Sequence, residues 1–419
     1  MADQPPPAAW ETVAGGEGGQ RAATKPAAPP PSPPQAAPPA GDSSGEIPRA
    51  ARDPALSRGL PFPRSAYAAI DLGTNNCRLL IARPSGDNFV VVDAFSRVVR
   101  LGEGLAQTGK LSQEAMDRTL GALHVCADKL RRRNVQLARS VATEACRRAA
   151  NGMEFIERVR EETGIAFDII TAGEEARLAV LGCHILLEPG IGPALIFDIG
   201  GGSTELVLIE SGPTVPRILD WVSVPWGVVS LTETFGDEMT GEDDADQAAR
   251  LVRYENMRAA VRDSFAAFAE RVASTRAAGE HGDDGAHPDS SGALRLLGTS
   301  GTVTTLASLH LDLLQYDRRA VDGLIVPAAS MRDISSRLSA MSPAERRELP
   351  CIGRERADLV VAGCAILEAI LDLWPAARLG VADRGIREGI LRSLITAGGE
   401  GERLRAELRL RQHEEVRSL

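Results

Sequence analysis

The chain has no hydrophobic run long enough to cross a membrane. Its most apolar stretch, residues 359–373, contains Glu368 and Asp372, whereas a membrane-spanning helix needs about 20 consecutive apolar residues. The amino terminus also lacks a basic segment followed by an apolar core, which is the pattern of a secretory signal. The sequence therefore predicts a soluble, cytoplasmic protein with no membrane partner.

Cysteine and histidine are too scattered to indicate a zinc site. The sequence contains six of each, with no C-x-x-C pair and no H-x-x-x-H pair, which are the spacings that zinc sites commonly use. Most of the cysteines lie among apolar residues, as buried reduced thiols do. We therefore expect a reducing compartment and no disulfide framework.

Positive charge is also in deficit. The chain has 47 Lys and Arg against 57 Asp and Glu, which gives a net charge of −10. Proteins that bind nucleic acid usually present a broad basic face, so the sequence predicts no nucleic-acid partner. If the substrate is a polyanion, positive charge must be concentrated locally.

The chain does contain a pattern that occurs twice. Residues 68–81 and residues 194–209 both read as strand, acidic residue, glycine turn and strand. The aliphatic and β-branched runs suit buried strands, while Gly and Asn allow backbone N–H groups to approach an anion closely. The copies lie about one domain length apart, which indicates a duplicated unit. Two such turns facing each other would hold a phosphate chain.

The remaining sequence divides around these copies. Residues 1–64 are rich in Pro, Ala and Gly and are predicted to be disordered. Residues 65–190 and 191–395 are predicted to form two domains, the second with a flexible loop at 275–292, and residues 396–419 a charged helical tail. Strands alternate with helices in both domains, which indicates an α/β fold.

Two helix starts carry capping signals. Ser112 precedes apolar residues that recur at helical spacing, and its hydroxyl can accept a hydrogen bond from the first turn. Asn151 and Glu154 have the spacing of a capping box for a helix that would end at Gly164. We therefore expect both side chains to cap a helix.

The two duplicated turns differ in how specifically they indicate an anion site. The first, Asp71 to Asn76, offers a carboxylate, a hydroxyl and amides, but Asn-Asn is also common in a plain hairpin turn. The second, Asp198 to Glu205, places three consecutive glycines between two acids, which favours a close backbone approach to a phosphate or nucleotide. No G-x-x-x-x-G-K-[ST] or G-x-G-x-x-G follows the strands, so neither a P-loop nor a dinucleotide site is predicted.

Three further motifs have both a functional and a plain structural interpretation. A third glycine turn, residues 298–302, is either an anion site at a helix N-terminus or a tight helix entry with no ligand. The adjacent Glu174 and Glu175 repel each other, which suits a general base, although acids in a first turn are also ordinary capping chemistry. Arg147 and Arg148 either clamp phosphate oxygens or begin a surface helix.

Six motifs together resemble the exopolyphosphatase/guanosine pentaphosphate phosphohydrolase (Ppx/GppA) family, in the right order over about residues 66 to 395. They are Asp71 to Asn76, Thr143 to Arg148, Gly173 to Leu178, Asp198 to Glu205, Gly298 to Thr302 and Asp383 to Gly389. The resemblance implies a duplicated α/β fold of the actin-like ATPase (ribonuclease H-like) type, in which two domains close on a phosphate-binding cleft.

The resemblance also implies roles for single residues. Glu175 matches the family's catalytic glutamate, which orients or deprotonates water, and Arg147 matches an arginine that contacts the phosphate chain. Asp198 matches an acid that holds Mg²⁺ or another hard divalent cation, with Glu205 and Asp71 as further acids. The phosphate-binding residues would be Gly73, Thr74, Asn75, Asn76, Gly200, Gly201, Gly202, Ser203, Gly298, Thr299 and Ser300.

The chain departs from the family pattern in two places. Thr74-Asn75-Asn76 replaces the usual Ser-Asn-Ser, so one hydroxyl is retained and an amide stands at another position. The sequence also ends soon after residues 387–389, whereas long members continue into helical domains. We therefore expect a short two-domain member, with a homodimer as a further expectation from the family.

The predicted activity is release of terminal orthophosphate from inorganic polyphosphate. Guanosine pentaphosphate is the alternative substrate, because both compounds end in a phosphoanhydride. A nucleotide-binding regulator that hydrolyses ATP slowly is a different class on the same fold, against which Glu175 argues. A kinase is a third option, but no base for a sugar hydroxyl is found.

Overall fold

The computed structural model describes residues 65–86, 88–190, 192–211, 215–236, 247–280 and 294–397. Three sequence predictions fall wholly or partly beyond this part of the chain. The disordered segment 1–64, residues 281–292 of the loop and residues 398–419 of the tail lie outside the described residues.

The first sheet is built from β1 (Ala66–Leu72), β2 (Asn76–Ser85), β3 (Asn88–Val98), β4 (Val135–Ala142) and β5 (Asp168–Ile169). The strand order is β3-β2-β1-β4-β5. The first three strands form an antiparallel meander, and the other two continue the sheet parallel to β1. The first of the duplicated patterns therefore forms the hairpin at the centre of this sheet.

The second sheet is built from β6 (Pro193–Ile199), β7 (Thr204–Glu210), β8 (Arg217–Val224), β9 (Arg295–Thr299), β10 (Ile325–Pro327) and β11 (Arg378–Ala382). Its order is β10-β11-β9-β6-β7-β8. Strands β6 to β8 repeat the antiparallel meander, while β9 and β11 continue the sheet parallel to β6. The sheet thus repeats the topology of the first and adds β10 at its edge, which confirms the predicted duplication.

Helices connect and cover the strands of both sheets. They are α1 (Leu105–Thr108), α2 (Gln113–Arg132), α3 (Glu144–Arg148), α4 (Gly152–Thr163), α5 (Ala172–Cys183), α6 (Val228–Phe235), α7 (Gln247–Glu280), α8 (Gly301–His310), α9 (Arg318–Val321), α10 (Ala328–Ala340), α11 (Pro343–Arg347), α12 (Arg354–Ala357), α13 (Val360–Leu373) and α14 (386–397), with a 3₁₀ turn at His184–Leu186. None of the described helices combines the length and the apolar character that a bilayer-spanning segment requires.

Helix α5 lies between the two sheets. Its Leu178 packs with buried residues of the first sheet, and its Val180 packs with buried residues of the second. Gly182 and Gly389 let α5 and α14 touch closely, because a Cβ at either glycine would lie 2.0 Å from a carbonyl oxygen of the opposing segment. The helix that carries Glu175 is therefore fixed at the junction of the two sheets.

Helix α14 belongs to the same junction. Its Ile390 and Leu391 are completely buried and pack with Tyr67 and Ala69 of β1. The segment that the sequence assigns to the end of the second domain therefore contributes to the packing of the first sheet.

One of the two predicted helix caps is present. The Ser112 hydroxyl accepts a hydrogen bond from the Ala115 amide at 3.2 Å, as predicted. The capping box at Asn151 is wrong, because the Asn151 amide exchanges hydrogen bonds of 2.9 and 3.0 Å with the backbone of Leu111. This tertiary partner satisfies the side chain, and α4 begins without a side-chain cap.

The predicted loop at 275–292 starts too early. Helix α7 continues through Glu280, so residues 275–280 are helical. The Thr275 hydroxyl donates to the Arg271 carbonyl one turn earlier, at 2.9 Å. A threonine of this kind is accommodated inside a helix because its hydroxyl can bond the preceding turn.

Candidate active site

The two duplicated turns have the same geometry. In the first, the Gly73 amide donates to the Asn76 carbonyl at 2.9 Å, and in the second the Gly200 amide donates to the Ser203 carbonyl at 2.9 Å. Each turn connects the first two strands of the antiparallel meander in its sheet. The repeated sequence pattern therefore produces a repeated backbone shape.

The two turns are in direct contact with each other. A Cβ on Gly201 would lie 3.0 Å from the Thr74 Cβ and 3.1 Å from the Asn75 amide nitrogen, and a Cβ on Gly202 would lie 2.5 Å from the Thr74 hydroxyl oxygen. The Gly202 distance is shorter than real Cβ contacts and the Gly201 distances are among the tightest, so a side chain at either position would require the turns to shift. Neither glycine has a positive φ, so the contact between the turns, not the turn conformation, favours glycine here.

A cavity of about 130 Å³ lies where the turns meet. Both turns, α5 and the start of α8 contribute to its wall. Thirteen of the predicted site residues line the cavity: Asp71, Gly73, Thr74, Asn75, Asn76, Glu175, Asp198, Gly200, Gly201, Gly202, Ser203, Glu205 and Ser300. The sequence motifs thus converge on one cavity although they are far apart along the chain.

Two glycine-turn residues that the sequence assigned to phosphate are not part of the cavity wall. Gly298 packs against the buried Phe197 ring, whose atoms would lie 2.5 Å from a Cβ at that position. The Thr299 hydroxyl is used in a 2.5 Å hydrogen bond to the Arg384 carbonyl. Ser300 does line the cavity, and its hydroxyl oxygen is buried without a hydrogen-bond partner among the described residues. The structure thus places Ser300 in the cavity wall and Gly298 and Thr299 behind it, and their assignment to phosphate stays a prediction.

Arg147 is placed behind the cavity wall rather than in it. Its guanidinium donates to the Glu175 carboxylate at 3.1 Å and to the Glu144 carboxylate at 2.5 Å. A third hydrogen bond of 2.8 Å reaches the Ile170 carbonyl at the end of the strand before α5. In this arrangement Arg147 orients two carboxylates, and its predicted contact with a phosphate chain stays a prediction.

Glu175 is a buried carboxyl group in an acidic environment. Its backbone position is set by α5, whose first turn is capped by Thr171, because the Thr171 hydroxyl accepts a 3.2 Å hydrogen bond from the Glu174 amide. Burial, followed by repulsion from Glu205, raises the pKa of Glu175 well above its ordinary value, against the opposing attraction of Arg147. A strongly perturbed carboxyl group that lines a cavity is a candidate general base.

The acids of the second turn are also buried. Burial and the proximity of Asp198 raise the pKa of Glu205 to about 7, although the Ser223 hydroxyl donates to it at 2.7 Å. Burial raises the pKa of Asp198 to about 6. Neither acid has a cationic partner at ion-pair distance among the described residues, whereas a buried charge is normally paired or bound to a metal.

The donor set around these acids suits a hard cation. No three described His, Cys, Asp or Glu side chains lie close enough together to form a ready-made metal site. Asp198 and Glu205 are nevertheless opposite each other on neighbouring strands, and the buried Asn75 amide oxygen makes no hydrogen bond among the described residues. Carboxylate and amide oxygens are the ligands that Mg²⁺ and Ca²⁺ prefer. The residues present therefore fit a hard divalent cation.

Asp71 occupies a different environment from its counterpart Asp198. Its partner across the hairpin is Arg78, whereas the partner of Asp198 is Glu205. Burial raises the pKa of Asp71, while Arg78 and then Arg387 oppose the rise. Arg78 also opposes the rise for Asp198, so the two acids differ chiefly in their partner across the hairpin, and the cation role of Asp71 stays a prediction.

Sequence reasoning gave no role to three charged residues of the cavity wall, Arg78, Glu144 and Arg356, although Glu144 lies within the motif Thr143 to Arg148. Arg78 is two residues beyond the first turn, so strand alternation could have indicated it. Arg356 lies in α12 and donates to the Thr305 hydroxyl at 3.2 Å, and no motif marks it. Arg78 and Arg356 are the cations of the wall, which supplies the local positive charge that a polyanionic substrate requires.

The fold and the cleft define a duplicated α/β protein of the actin-like class, with its site where the two sheets meet. The model of the Ppx/GppA phosphatase family matches residues 80–397. The chain therefore belongs to the Ppx/GppA phosphatase family, a family of hydrolases, as its motifs predicted.

Relatives in this family cover most of the chain. Exopolyphosphatase 2 of Mycobacterium tuberculosis is 31% identical over 342 residues, which are 78% of this chain and 98% of the relative. The crystal structure of an Aquifex aeolicus Ppx/GppA family member is 26% identical, with a TM-score of 0.60 over 80% of this chain and 98% of that one. An exopolyphosphatase structure from Cytophaga hutchinsonii is 24% identical, with a TM-score of 0.65 over 80% and 98%, and it supports the fold.

Proposed function

We propose that this protein is an exopolyphosphatase that releases terminal orthophosphate from inorganic polyphosphate. The observation that carries the proposal is the placement of Glu175, buried in the cavity wall beside Arg147 and facing the two glycine turns. The exopolyphosphatase name of the Mycobacterium tuberculosis relative supports the substrate class. The cysteine pattern, which is typical of a reducing compartment, and the family both support a cytoplasmic enzyme.

Phosphoryl transfer depends on positioning and charge neutralisation more than on covalent chemistry. Backbone N–H groups of the two turns would bind the terminal phosphoryl group, because several amides approach one small cavity. Arg78 would contact the chain, since it is a cation in the cavity wall. These contacts would fix the terminal phosphorus in front of Glu175.

Glu175 would act as the general base for water. The water oxygen forms a bond to the terminal phosphorus while its proton passes to the Glu175 carboxylate, and the anhydride P–O bond breaks. The shortened chain leaves with the electron pair of that bond, and orthophosphate is the second product. Arg147 keeps the carboxylate aimed at the cavity through its 3.1 Å contact.

Asp198 and Glu205 are the residues that would hold the divalent cation, with the Asn75 amide oxygen nearby. Such a cation, Mg²⁺ in our proposal, would offset the charge of the phosphate chain when bound. The same carboxylates would otherwise repel a polyanion, so their presence beside the glycine turns favours a cation-dependent enzyme.

Guanosine pentaphosphate is the second candidate substrate. The family unites exopolyphosphatases with guanosine pentaphosphate phosphohydrolases in its own name, and both substrates present a terminal phosphoanhydride to the same residues. A slow ATPase that serves as a nucleotide-dependent regulator is the candidate of another class. A homodimer is retained as a proposal from the family.

Phosphate release tests these candidates directly. The full chain is assayed on polyphosphate, guanosine pentaphosphate and ATP, with Mg²⁺ and with a chelator. We expect polyphosphate to be the preferred substrate and the chelator to abolish release. Preference for guanosine pentaphosphate or ATP would replace the proposed function by the corresponding alternative.

Glu175→Gln tests the assigned base. The variant retains the shape of the side chain but cannot accept the proton, so kcat should fall by about 10²- to 10⁴-fold. Glu174→Gln is the matched control, because Glu174 is the adjacent residue on α5 but pairs with Arg139 and Arg177 outside the cavity. Equal turnover of Glu175→Gln and wild type would refute the assignment.

A further inference from the structure

Helix α6 contacts backbone segments that hold both glycine turns in place. Its first residue, Val228, donates from its amide to the Gly200 carbonyl at 2.9 Å, and Val229 donates to the Gly201 carbonyl at 2.8 Å. A Cβ on the preceding Gly227 would lie 2.3 Å from the Gly201 carbonyl carbon. The N-terminus of α6 is therefore in close backbone contact with the second turn.

The other end of α6 reaches the first half of the duplication. Near the end of α6, the Glu233 carboxylate accepts a hydrogen bond of 2.8 Å from the Gly104 amide. Gly104 lies in the left-handed region with φ of 73°, a conformation that a glycine adopts without strain. This contact joins α6, which follows the meander of the second sheet, to Gly104, which follows the meander of the first sheet.

Residues 99–104 form a bracing segment for the first turn. The amides of Val99 and Arg100 both donate to the Asn75 carbonyl, at 2.8 and 3.0 Å, and the Gly102 amide donates to the Thr74 carbonyl at 2.9 Å. A Cβ on Gly102 would lie 2.2 Å from the Thr74 methyl group. The position of the bracing segment therefore determines where Thr74 and Asn75 lie.

Glu233 has no cationic partner at ion-pair distance among the described residues. It is partly buried, and burial raises its pKa, while the Gly104 amide opposes that rise. A partly buried carboxylate is costly unless a donor satisfies it, and the Gly104 amide is the donor that the structure provides. The Glu233 carboxylate is thus held by its hydrogen bond to the bracing segment.

We propose that Glu233 is a positioning residue, which holds the two phosphate turns in register by anchoring the bracing segment to α6. The helix contacts the second turn through its N-terminus and, through Glu233 and residues 99–104, supports the first. The inference rests on the proposed function, because the terminal phosphoryl group would bind between these turns. A small displacement of one turn would misplace the phosphorus relative to Glu175 and slow the reaction.

Three variants test the proposal. Glu233→Ala removes the acceptor, Glu233→Gln keeps an amide oxygen that can accept the same hydrogen bond, and Glu210→Ala is the control. Glu210 is an exposed acid at the end of β7 that pairs with Arg217 on the surface. Each variant is compared with wild type by hydrogen–deuterium exchange and by the kinetics of phosphate release from polyphosphate.

We expect Glu233→Ala to increase exchange about tenfold in peptides that cover residues 99–104 and the first turn, because the lost bond has a charged acceptor. Its kcat should fall by about 10- to 100-fold, with a change in KM of less than about threefold because the chain contacts remain. Glu233→Gln should restore most of the protection and turnover, and Glu210→Ala should match wild type.

The exchange measurement separates this inference from the proposed function. If wild type does not hydrolyse polyphosphate, the proposed function fails, but slower exchange in wild type than in Glu233→Ala would still support the anchoring of the turns. Unchanged exchange in Glu233→Ala, or equal defects in the Ala and Gln variants, would overturn the positioning role. A loss of turnover with unchanged exchange would also overturn it.

Discussion

Arg147 is the residue for which the position in the structure and the family resemblance make different predictions. The resemblance assigns it to the phosphate chain, whereas the structure places it behind Glu175 and Glu144. If Arg147 acts on Glu175, its removal must change the protonation of that carboxylate. Arg147→Gln therefore distinguishes the two roles through the pH dependence of activity.

The expected size of the effect follows from the hydrogen bond between Arg147 and Glu175. A hydrogen bond to a charged group contributes about 1.5–3 kcal/mol, which corresponds to about 1–2 pKa units. Arg147 favours the ionised form of Glu175, against burial and the repulsion from Glu205. Its loss should thus raise a pKa that is already high and lower the ionised fraction of Glu175 at a given pH.

The sign of the effect on activity is defined by the role of Glu175. The general base must be ionised, so activity rises as the pH rises through its pKa. In Arg147→Gln this acid limb should move to higher pH, and turnover should recover partly at alkaline pH. The assay is the pH profile of kcat for orthophosphate release from polyphosphate at saturating Mg²⁺.

The opposite role gives a different profile. If Arg147 contacts the phosphate chain, its removal should raise KM at every pH and leave the acid limb of kcat in place. Arg148→Gln is a matched control, because Arg148 is the next residue and its nearest carboxylate is Glu144 at 3.6 Å. An unshifted acid limb in Arg147→Gln would refute the proposed orientation of Glu175.

Two other substitutions test the cavity wall. Gly227→Ala should lower the free energy of unfolding by about 1–3 kcal/mol, because its Cβ would meet backbone atoms of Gly201 and Gly202 at 2.3–2.5 Å. Denaturant unfolding measures this loss of stability. Gly121→Ala in α2 is the control, since no atom lies within 4 Å of its Cβ position. Equal unfolding midpoints for the two variants would contradict the close contact. Arg78→Gln should raise KM for polyphosphate by about tenfold if the lost charge-assisted contact is worth about 1.4 kcal/mol, whereas Arg97→Gln, an exposed arginine on β3, should not. Unchanged KM in steady-state assays of Arg78→Gln would show that the chain does not reach this residue.

The local features of the fold could be predicted from sequence because they depend on neighbouring residues. The Ser112 cap acts within one turn of its own helix, and the two glycine turns close on themselves through bonds of 2.9 Å. Asn151 has an equally good local signal, yet its side chain bonds to Leu111, which is 40 residues away. The sequence pattern does not record that competing partner.

The candidate site also combines features that the local sequence predicts with features that depend on distant residues. Glycine at position 202 and glycine at position 298 look alike in sequence, but the first is needed for the contact with Thr74 and the second for packing against Phe197. The roles of Arg147 and Glu233 likewise depend on which elements meet in three dimensions. Motifs therefore predicted which turns form the cavity, but not how their neighbours are used.

The duplication would explain how one cleft could serve both the proposed polyanion and the proposed cation. The hairpins of the two halves have the same register, so Arg78 and Glu205 occupy equivalent positions opposite Asp71 and Asp198. In the first half the acid faces a cationic arginine, which leaves little attraction for a metal. In the second half it faces another acid, which repels phosphate unless a cation is bound. Divergence at this one pair of positions would thus direct the phosphate chain to one wall and the cation to the other, with Glu175 of the connecting helix between them.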